Sequence, residues 1–349
     1  MGDLPGRVRL LDQTRLPGEV AFLEIATAEA MADAIRRLAV RGAPAIGVAA
    51  AFGMVLGLQG AVAAKGAGLL GEARRVASLL QRARPTAASL SRAVDRALAR
   101  LEGDAARGRG PEEMRRGLLA EAFGRMEEDR ELCRRIAEAG AALLRDGDGV
   151  LTHCNTGALA TTGIGTALGI VHRAVERGLR LRVFAGETRP LLQGTRLTAL
   201  ELREAGIEVT LLPDAAAGSL LRSGRVAIVL VGADRIARNG DVANKVGTYP
   251  LALLAGESSV PFYAAAPVET IDASLPDGAS IPIEERGEEE IVAFGGRRVA
   301  PEGVKVFNPA FDVTPARLVT GLVTEAGVLA APNERKLSEV LRRSGRARE

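Results

Sequence analysis

The spacing of apolar residues changes character part-way along the chain. Over 28–40, apolar side chains recur at the three- and four-residue intervals of an amphipathic helix. Further helices are predicted at 45–57, at 69–83, at 87–101 and, starting from Pro111, as a long helix that runs to about Leu144. Short strands are predicted near the start, at 7–12 and 19–25. The first part of the chain is therefore expected to be mainly helical.

From residue 146 onward, short apolar runs alternate with helical periodicity. The predicted strands are 149–153, 180–185, 207–212, 226–231 and 261–266, separated by predicted helices at 163–177, 193–205, 215–223 and 244–256. Repeated β-α-β units build a mostly parallel sheet with helices on both faces. We therefore predict an α/β protein with two domains. The smaller, mainly helical N-terminal domain covers 1–145 and includes a long linking helix, and the sheet domain covers 146–349.

Composition narrows the classes of function. Hydrophobic residues make up 47% of the 349, which is enough to fill a core, but only 3% are aromatic and none is Trp. So few aromatic side chains argue against a stacking platform for single-stranded nucleic acid. The 46 Lys and Arg residues nearly balance the 43 Asp and Glu, so a dense basic patch for nucleic acid is not expected. Part of the small excess lies in 335–348, which we interpret as a solvated helix end and tail.

Neither a targeting segment nor a membrane span is predicted. The start Met-Gly-Asp-Leu-Pro lacks the basic and apolar regions of a signal peptide, so a cytoplasmic protein is expected. The uncharged stretch 42–64 consists largely of Ala and Gly, which favours a closely packed buried helix over a bilayer span. Two cysteines do not make a disulfide framework, and Cys133, within a helical run, is interpreted as a core residue.

The predicted sheet indicates where a ligand should bind. In open α/β sheets, ligands lie outside the carboxyl ends of the strands. The predicted strands are almost entirely Val, Leu, Ile and Ala, whereas polar and reactive residues follow them. These residues are His153-Cys-Asn-Thr-Gly157, Glu187-Thr-Arg189, Pro213-Asp214, Gly232-Ala-Asp-Arg235 and Pro267.

Cys154 follows the first predicted strand and begins a turn rich in Gly and Thr. Backbone amides in such a turn, next to a helix N-terminus, can bind an anion, and the same positive end favours a thiolate. A cysteine that only packs at the end of a strand is the alternative. The glycines at 157, 163, 165 and 169 do not fit the dinucleotide fingerprint G-x-G-x-x-G.

Asp234 follows a strand of purely apolar residues. A carboxyl group that is partly removed from water there can hold a proton and act as a general acid or base. Asn244 and Lys245 are predicted to begin the next helix, where they can hold a hydroxyl or a phosphate of a substrate. Asp241 is interpreted as a turn or helix-capping residue.

Two arginines in the helical part adjoin small-residue turns. Arg41, in Arg-Gly-Ala-Pro-Ala-Ile-Gly, offers a guanidinium and nearby amides to a phosphate, although a buried structural arginine would have the same sequence. Arg84, in Arg-Pro-Thr-Ala, is similar. His153 and His172 are not spaced as metal ligands with the cysteines, and both are interpreted as packing residues. No metal site is predicted.

Seven segments together resemble the methylthioribose-1-phosphate isomerase family, in the family's order and over roughly residues 8–330. They are Arg-Gly-Ala-Pro-Ala-Ile-Gly (41–47), Arg-Pro-Thr-Ala (84–87), Thr-His-Cys-Asn-Thr-Gly-Ala-Leu-Ala-Thr (152–161), Glu-Thr-Arg-Pro-Leu-Leu-Gln-Gly (187–194), Gly-Ala-Asp-Arg-Ile (232–236), Asn-Gly-Asp-Val-Ala-Asn-Lys (239–245) and Asn-Pro-Ala-Phe-Asp-Val-Thr-Pro (308–315). The ordered set is far more specific than any one segment.

The resemblance implies an activity, a fold and a site. The reaction is the conversion of 5-methylthioribose 1-phosphate to 5-methylthioribulose 1-phosphate in methionine salvage, without a cofactor. The fold is a small N-terminal domain on a Rossmann-like catalytic domain, usually as a homodimer. By motif, the catalytic pair is Cys154 and Asp234. The implied substrate contacts are Arg41, Gly42, Ala43, Arg84, Gln193, Asn244 and Lys245.

The reaction is compatible with these residue types. The anomeric phosphate locks the sugar ring, so an acid, Asp234, is expected to protonate the ring oxygen. Hydrogen must then move from C2 to C1, and Cys154 either takes the proton to form an enediol or stabilises charge during a direct hydride shift. A dry site would favour the hydride route.

Relatives with this fold also include ribose-1,5-bisphosphate isomerases and regulatory subunits of an initiation-factor exchange complex. Leu11-Asp-Gln-Thr-Arg-Leu-Pro17 resembles the methylthioribose branch, and a bisphosphate isomerase should need more cations. Cys154 and Asp234 in full motif context favour an enzyme over a binding module. One position departs from the pattern: the family usually has Asn-Leu after Arg-Pro-Thr-Ala, and here Ala88-Ser-Leu90 follows, so other 5-deoxy sugar phosphates are further candidate substrates.

Overall fold

The computed structural model describes residues 4–60 and 67–345, and these fall into two compact units. The first unit comprises the described residues up to Glu131 together with Ala158–Gly163. The second comprises Leu132–Gly157 and the described residues from Ile164 onward. The last four residues of the basic tail lie outside the described residues.

The first unit is built from helices and one hairpin. Its strands β1 (Val8–Leu11) and β2 (Phe22–Ile25) pair antiparallel. Its helices are α1 (Ala28–Arg36), α2 (Ala43–Gln59), α3 (Ala67–Ala83), α4 (Ala88–Ala106) and the greater part of α5 (Pro111–Ala141), which ends in the second unit. Thr27 caps α1, since its hydroxyl accepts a hydrogen bond from the amide of Ala30. The predicted helical character of this region is confirmed.

Helix α2 is buried on almost every side, as its composition predicts. Its glycines let α3 approach closely: a Cβ on Gly53 would lie 2.9 Å from Leu80, and one on Gly57 would lie 2.6 Å from Val76. The close contact of small residues fills this part of the core with few bulky side chains. Among the described residues, none of the helices combines the length and the apolar run that crossing a bilayer requires.

The second unit is centred on a sheet of seven strands. The strands of the whole unit are β3 (Gly149–Thr152), β4 (Arg182–Gly186), β5 (Val209–Leu212), β6 (Ile228–Gly232), β7 (Arg235–Ala237), β8 (Val242–Lys245), β9 (Phe262–Ala265), β10 (Ile271–Asp272), β11 (Ala293–Phe294), β12 (Arg297–Arg298), β13 (Phe311–Thr314), β14 (Gly321–Thr324) and β15 (Gly327–Ala330). The large sheet has the order β15-β14-β9-β6-β3-β4-β5, and β7, β8, β10 and β13 form a smaller sheet. Only β15 runs antiparallel in the large sheet.

Helices cover both faces of this sheet. The helices of this unit are α6 (Ala167–Glu176), α7 (Ala199–Glu204), α8 (Ala217–Arg222), α9 (Thr248–Glu257), α10 (Glu289–Val292) and α11 (Glu334–Arg343), and all but α10 pack on the sheet. Alternate strand residues pack in opposite directions: Leu151 lies in one apolar cluster with α8, α9 and α11, and Val150 in another with α6, α7 and the end of α5. The predicted α/β class, with a mostly parallel Rossmann-like sheet, is confirmed.

One local prediction is wrong. Asn244 and Lys245 do not begin a helix but end strand β8, and α9 starts only at Thr248. Strand β8 pairs antiparallel with both β7 and β13. Strand β13 lies about 70 residues further along the chain, and its Asp312 is opposite Asn244. Such distant pairing is invisible to a local pattern, which here showed only the apolar run of α9.

Candidate active site

Cys154 and Asp234 follow β3 and β6, the neighbouring strands between which the order of strand addition reverses. Counted along the chain, the parallel strands lie in the spatial order 3-2-1-4-5-6, so the direction of winding reverses between β3 and β6. The crevice at such a reversal is where open α/β sheets bind ligands. Thr152 pairs with Leu230 across these two strands; Cys154 comes two residues after β3, and Asp234 two residues after β6. The topology thus brings the two predicted catalytic residues to the same edge.

Cys154 has a left-handed backbone conformation, with φ of 66°. A residue with a Cβ pays about 1–3 kcal/mol for this conformation, which persists only where surrounding contacts impose it. Its amide donates to the hydroxyl of Thr188 over 2.9 Å, and its carbonyl accepts from the hydroxyl of Thr198 over 2.7 Å. Cys154 is 8% exposed, and neither it nor Cys133 forms a disulfide. The strained turn is therefore built into the fold around a nearly buried thiol.

Gln193 directly precedes a π-helical turn, Gly194–Thr198, whose last residue binds the carbonyl of Cys154. Such turns are rare and occur frequently at functional sites. Gln193 is buried, and its Oε1 has no hydrogen-bond partner among the described residues. Because a buried amide oxygen without a partner costs about 1–3 kcal/mol, this atom is well suited to accept a hydrogen bond from a ligand hydroxyl.

Asp234 lies between β6 and β7, and its amide donates to the carbonyl of Ala243 on β8 over 2.9 Å. The end of β6 also lies against the Cys154 turn: a Cβ on Gly232 would come within 2.8 Å of the methyl group of Thr156. On β8, the side-chain Nδ2 of Asn244 donates to Thr248 Oγ1 over 3.0 Å. These contacts fix the backbone that carries the carboxylate and the neighbouring amide.

Lys245 brings a positive charge to the end of β8. Its Nζ donates to the carbonyl of Ala310 over 2.7 Å and lies 4.7 Å from the centre of the Phe311 ring. After Lys245 the chain turns sharply through Gly247, which has φ of 102° and begins α9. A Cβ on Gly247 would lie 2.8 Å from Nε2 of His153, so only glycine fits here.

The predicted contacts Arg41, Gly42, Ala43 and Arg84 belong to the first unit. Arg41, Gly42 and Ala43 lie at the start of α2, and Arg84 lies between α3 and α4. Gly42 has φ of 91°, and a Cβ there would come within 2.4 Å of the carbonyl oxygen of Ala160. The hydroxyl of Ser89, in the segment that departs from the family pattern, donates to the carbonyl of Ala43. This serine therefore supports the Arg-Gly-Ala-Pro turn directly.

The chain is similar to known proteins over most of its length. The model of the initiation factor 2 subunit family matches residues 39–331. A methylthioribose-1-phosphate isomerase of Anaeromyxobacter sp. (strain K) is 56% identical over 93% of this chain and 91% of its own length. This chain belongs to the methylthioribose-1-phosphate isomerase family, within the initiation factor 2 subunit family.

Two further members of the family add detail. A 5-deoxyribose 1-phosphate isomerase of Moorella thermoacetica is 49% identical, over 96% of this chain and 95% of its own length. The crystal structure of 5-methylthioribose 1-phosphate isomerase from Pyrococcus horikoshii OT3 has a TM-score of 0.88 and 40% identity, covering 98% of this chain and 95% of that one. The predicted family is confirmed, whereas the roles of individual residues remain predictions.

Sequence reasoning missed Asp312 in this member of the isomerase family, whereas His153, interpreted as a packing residue, is buried. Asp312, on β13, accepts hydrogen bonds from the amides of Gly247 (2.6 Å) and Tyr249 (3.1 Å) and so caps α9. His153 Nε2 contacts the carbonyl of Val246 at 2.8 Å, and because a carbonyl can only accept, the ring donates from Nε2. Its Nδ1 lies 3.7 Å from Asp214, and burial lowers the pKa of His153, so the ring is neutral. Together they hold the turn that follows Lys245.

Burial raises the pKa of Asp312 to about 6, although the amides of Gly247 and Tyr249 and the charge of Lys245 act in the opposite direction. Because the folded protein holds this proton more tightly than the unfolded chain does, the contribution of Asp312 to stability falls as the pH rises from about 4 to 6. Relative to the wild type, Asp312→Asn should therefore gain stability across that window, by at most about 3 kcal/mol. Urea unfolding of both proteins at pH 4, 5, 6 and 7 measures this gain, and a constant difference across the series would contradict the predicted burial.

Proposed function

We propose that this protein is an aldose–ketose isomerase that converts 5-methylthioribose 1-phosphate to 5-methylthioribulose 1-phosphate in methionine salvage. The observation that carries the proposal is the strained Cys154 turn after β3, with Asp234 after β6, at the reversal of the sheet. Energetically costly backbone conformations are retained where function requires them. The 56% identity to a named methylthioribose-1-phosphate isomerase supports the same reaction.

In this proposal Asp234 is the general acid. It donates a proton to the ring oxygen, which becomes the 4-hydroxyl group while the phosphate ester stays on C1. The hydrogen on C2 moves to C1, and the 2-hydroxyl loses its proton as C2 becomes the ketone, so the reaction needs no external oxidant or reductant. Cys154 either carries the C2 hydrogen as a proton through an enediol or stabilises charge while it moves as hydride.

The substrate contacts we propose are Gln193, Asn244 and Lys245 in the second unit and Arg41, Gly42, Ala43 and Arg84 in the first. The Oε1 of Gln193 supports a bond to a sugar hydroxyl, because it is buried without a partner in the described structure. The charges of Lys245, Arg41 and Arg84 suit the phosphate. Gly42 supports a role for the start of α2, since its left-handed backbone presents amides that no larger residue could.

A second candidate substrate is 5-deoxyribose 1-phosphate. The Moorella thermoacetica relative with that name is 49% identical to this chain, close to the range of the methylthioribose relatives. The two sugars differ only in the substituent on C5, so the same acid, the same thiol and the same phosphate contacts would serve both. Ribose 1,5-bisphosphate would need further cations for its second phosphate, and a regulatory subunit would need no catalytic pair.

The test is turnover of 5-methylthioribose 1-phosphate by the purified protein, with 5-deoxyribose 1-phosphate and ribose 1,5-bisphosphate measured in parallel. We expect ketose from the methylthio sugar with the highest kcat/KM of the three. A preference for the bisphosphate would replace the proposed substrate, and no turnover of any of the three would leave a ligand-binding regulator. Repeating the reaction in D2O distinguishes the routes, because only an enediol exchanges the migrating hydrogen with solvent.

We also propose that the enzyme acts in the cytoplasm as a homodimer, which is the usual form that the family resemblance implies. Light scattering coupled to size-exclusion chromatography would measure the mass directly. A single species at the mass of one chain would reject the dimer.

A further inference from the structure

Both backbone polar groups of Cys154 are held by side chains from other elements. Thr188 follows β4 and binds the amide, and Thr198 ends the π-helical turn and binds the carbonyl. Both threonines are 0% exposed. The conformation of the peptide groups on either side of the cysteine is thus set by two hydroxyls that lie 34 and 44 residues away along the chain.

The direction of each hydroxyl proton is fixed. The hydroxyl of Thr188 donates to the carbonyl of Gly186 over 3.1 Å, which leaves its lone pairs for the amide of Cys154. The hydroxyl of Thr198 donates to the carbonyl of Cys154, and its lone pairs accept from the side chain of Asn155 over 3.3 Å. Each hydroxyl therefore has one defined acceptor and one defined donor. The two threonines together act as a two-sided clamp on Cys154.

Each side of the clamp is itself supported. Thr188 also has a left-handed backbone, with φ of 64°, and its amide and that of Arg189 donate to the two carboxylate oxygens of Asp214 over 2.9 and 2.8 Å. Thr198 lies in the same turn as Gln193. The clamp therefore ties the cysteine to the turn that carries a proposed substrate contact.

We propose that Thr188 and Thr198 are positioning residues for the isomerisation, which hold the thiol of Cys154 at the reacting carbon by fixing its left-handed backbone. This inference rests on the proposed function. The two flanking peptide groups determine the direction of the Cα–Cβ bond, and hence where the sulfur lies. Misplacement of a catalytic group by about 1 Å can reduce turnover about a hundredfold. The two buried threonines can therefore have a large effect on catalysis without contacting the substrate.

The matched test replaces each threonine by valine, which keeps the shape and removes the hydroxyl. Thr188→Val and Thr198→Val should each lower kcat by about 10- to 100-fold and change KM by less than about threefold. Thr188→Ser and Thr198→Ser keep the hydroxyl and should stay within about threefold of wild-type kcat. Thr314→Val is the control, because its buried hydroxyl has no hydrogen-bond partner in the described structure, and it should leave kcat unchanged. If a valine variant is insoluble, the alanine variant, which adds no atom, takes its place.

The second measurement does not depend on a substrate. Alkylation of Cys154 by iodoacetamide, followed by peptide mass spectrometry, should be faster by at least about fivefold in both valine variants than in wild type, since the released turn exposes the thiol. Cys133, fully buried in α5, serves as the internal reference. Unchanged alkylation and unchanged kcat would overturn the clamp. Faster alkylation in a protein that turns over none of the three sugar phosphates would reject the proposed function and keep the clamp.

Discussion

Cys154→Ala and Asp234→Asn are each expected to lower the turnover of 5-methylthioribose 1-phosphate by at least about a hundredfold. Removal of a positioned acid or base typically costs two to four orders of magnitude in rate. Both substitutions are smaller than or equal in size to the native side chain, so neither should displace the strand ends. Steady-state kinetics on the purified variants measure the effect, and thermal unfolding should show that both proteins remain folded.

Two matched variants separate catalysis from folding. Cys133→Ala removes the other thiol, which lies buried in α5, and should keep wild-type kcat even if it costs some stability. Asp241→Asn alters a carboxylate seven residues after Asp234 that accepts hydrogen bonds from the amides of Gly278 (2.9 Å) and Ala316 (2.8 Å). It should lower stability and leave kcat largely intact. Equal losses of turnover in Asp241→Asn and Asp234→Asn would remove the special role of Asp234.

Gly194→Ala is expected to lower both stability and activity strongly, although it adds only a single methyl group. A Cβ at this position would lie 1.8 Å from the carbonyl oxygen of Gly186 and 3.0 Å from the hydroxyl of Thr188. Since a backbone carbonyl in a central strand cannot move away, the π-helical turn must shift instead. We expect a loss on the order of 3 kcal/mol in the free energy of unfolding and at least about a hundredfold in kcat/KM, because Gln193 and Thr198 move with the turn.

Gly256→Ala provides the control in the same unit. The new Cβ would lie 3.9 Å from the side chain of Leu318, an ordinary contact, within the last turn of α9. Alanine is a better helix former than glycine, so stability should be unchanged or higher by up to about 1 kcal/mol. Urea unfolding and initial rates of both variants test the comparison. A Gly194→Ala protein as stable and active as Gly256→Ala would mean that the close approach of the turn to β4 is not needed.

Much of the fold could be predicted from the sequence because its large sheet is made of short, mostly apolar strands separated by amphipathic helices. The runs that became β3, β4, β5, β6 and β9 each stand out locally, and the polar residues that follow them indicate the edge that binds ligand. Strand β8 could not be found in this way. Its pairing with β13 joins segments that are distant in sequence, and Val242–Lys245 carries no strong pattern of its own.

The same distinction between local sequence pattern and distant contacts applies to the candidate site. Cys154 and Asp234 can be identified as candidates from the sequence, because each is a reactive side chain shortly after an apolar strand. The clamp threonines could not be, since a buried hydroxyl in a turn has no distinctive pattern, and its partner at Cys154 is known only once the chain is folded. Asp312 was overlooked for a related reason: its effect on α9 depends on β13 lying beside β8. Sequence therefore indicates which residues can react, and the fold shows which residues hold them.

Segment 158–163 has a consequence for how the protein is made. By its contacts it belongs to the first unit, where Gln13 donates to the carbonyl of Leu159 over 2.7 Å and the buried Asp129 accepts two hydrogen bonds from Thr162, yet it is encoded after β3. A ribosome therefore releases the first strand of the second unit before the first unit can be completed. An N-terminal fragment that ends near residue 145 lacks these partners of Gln13 and Asp129, so synthesis of the two units is interleaved rather than sequential.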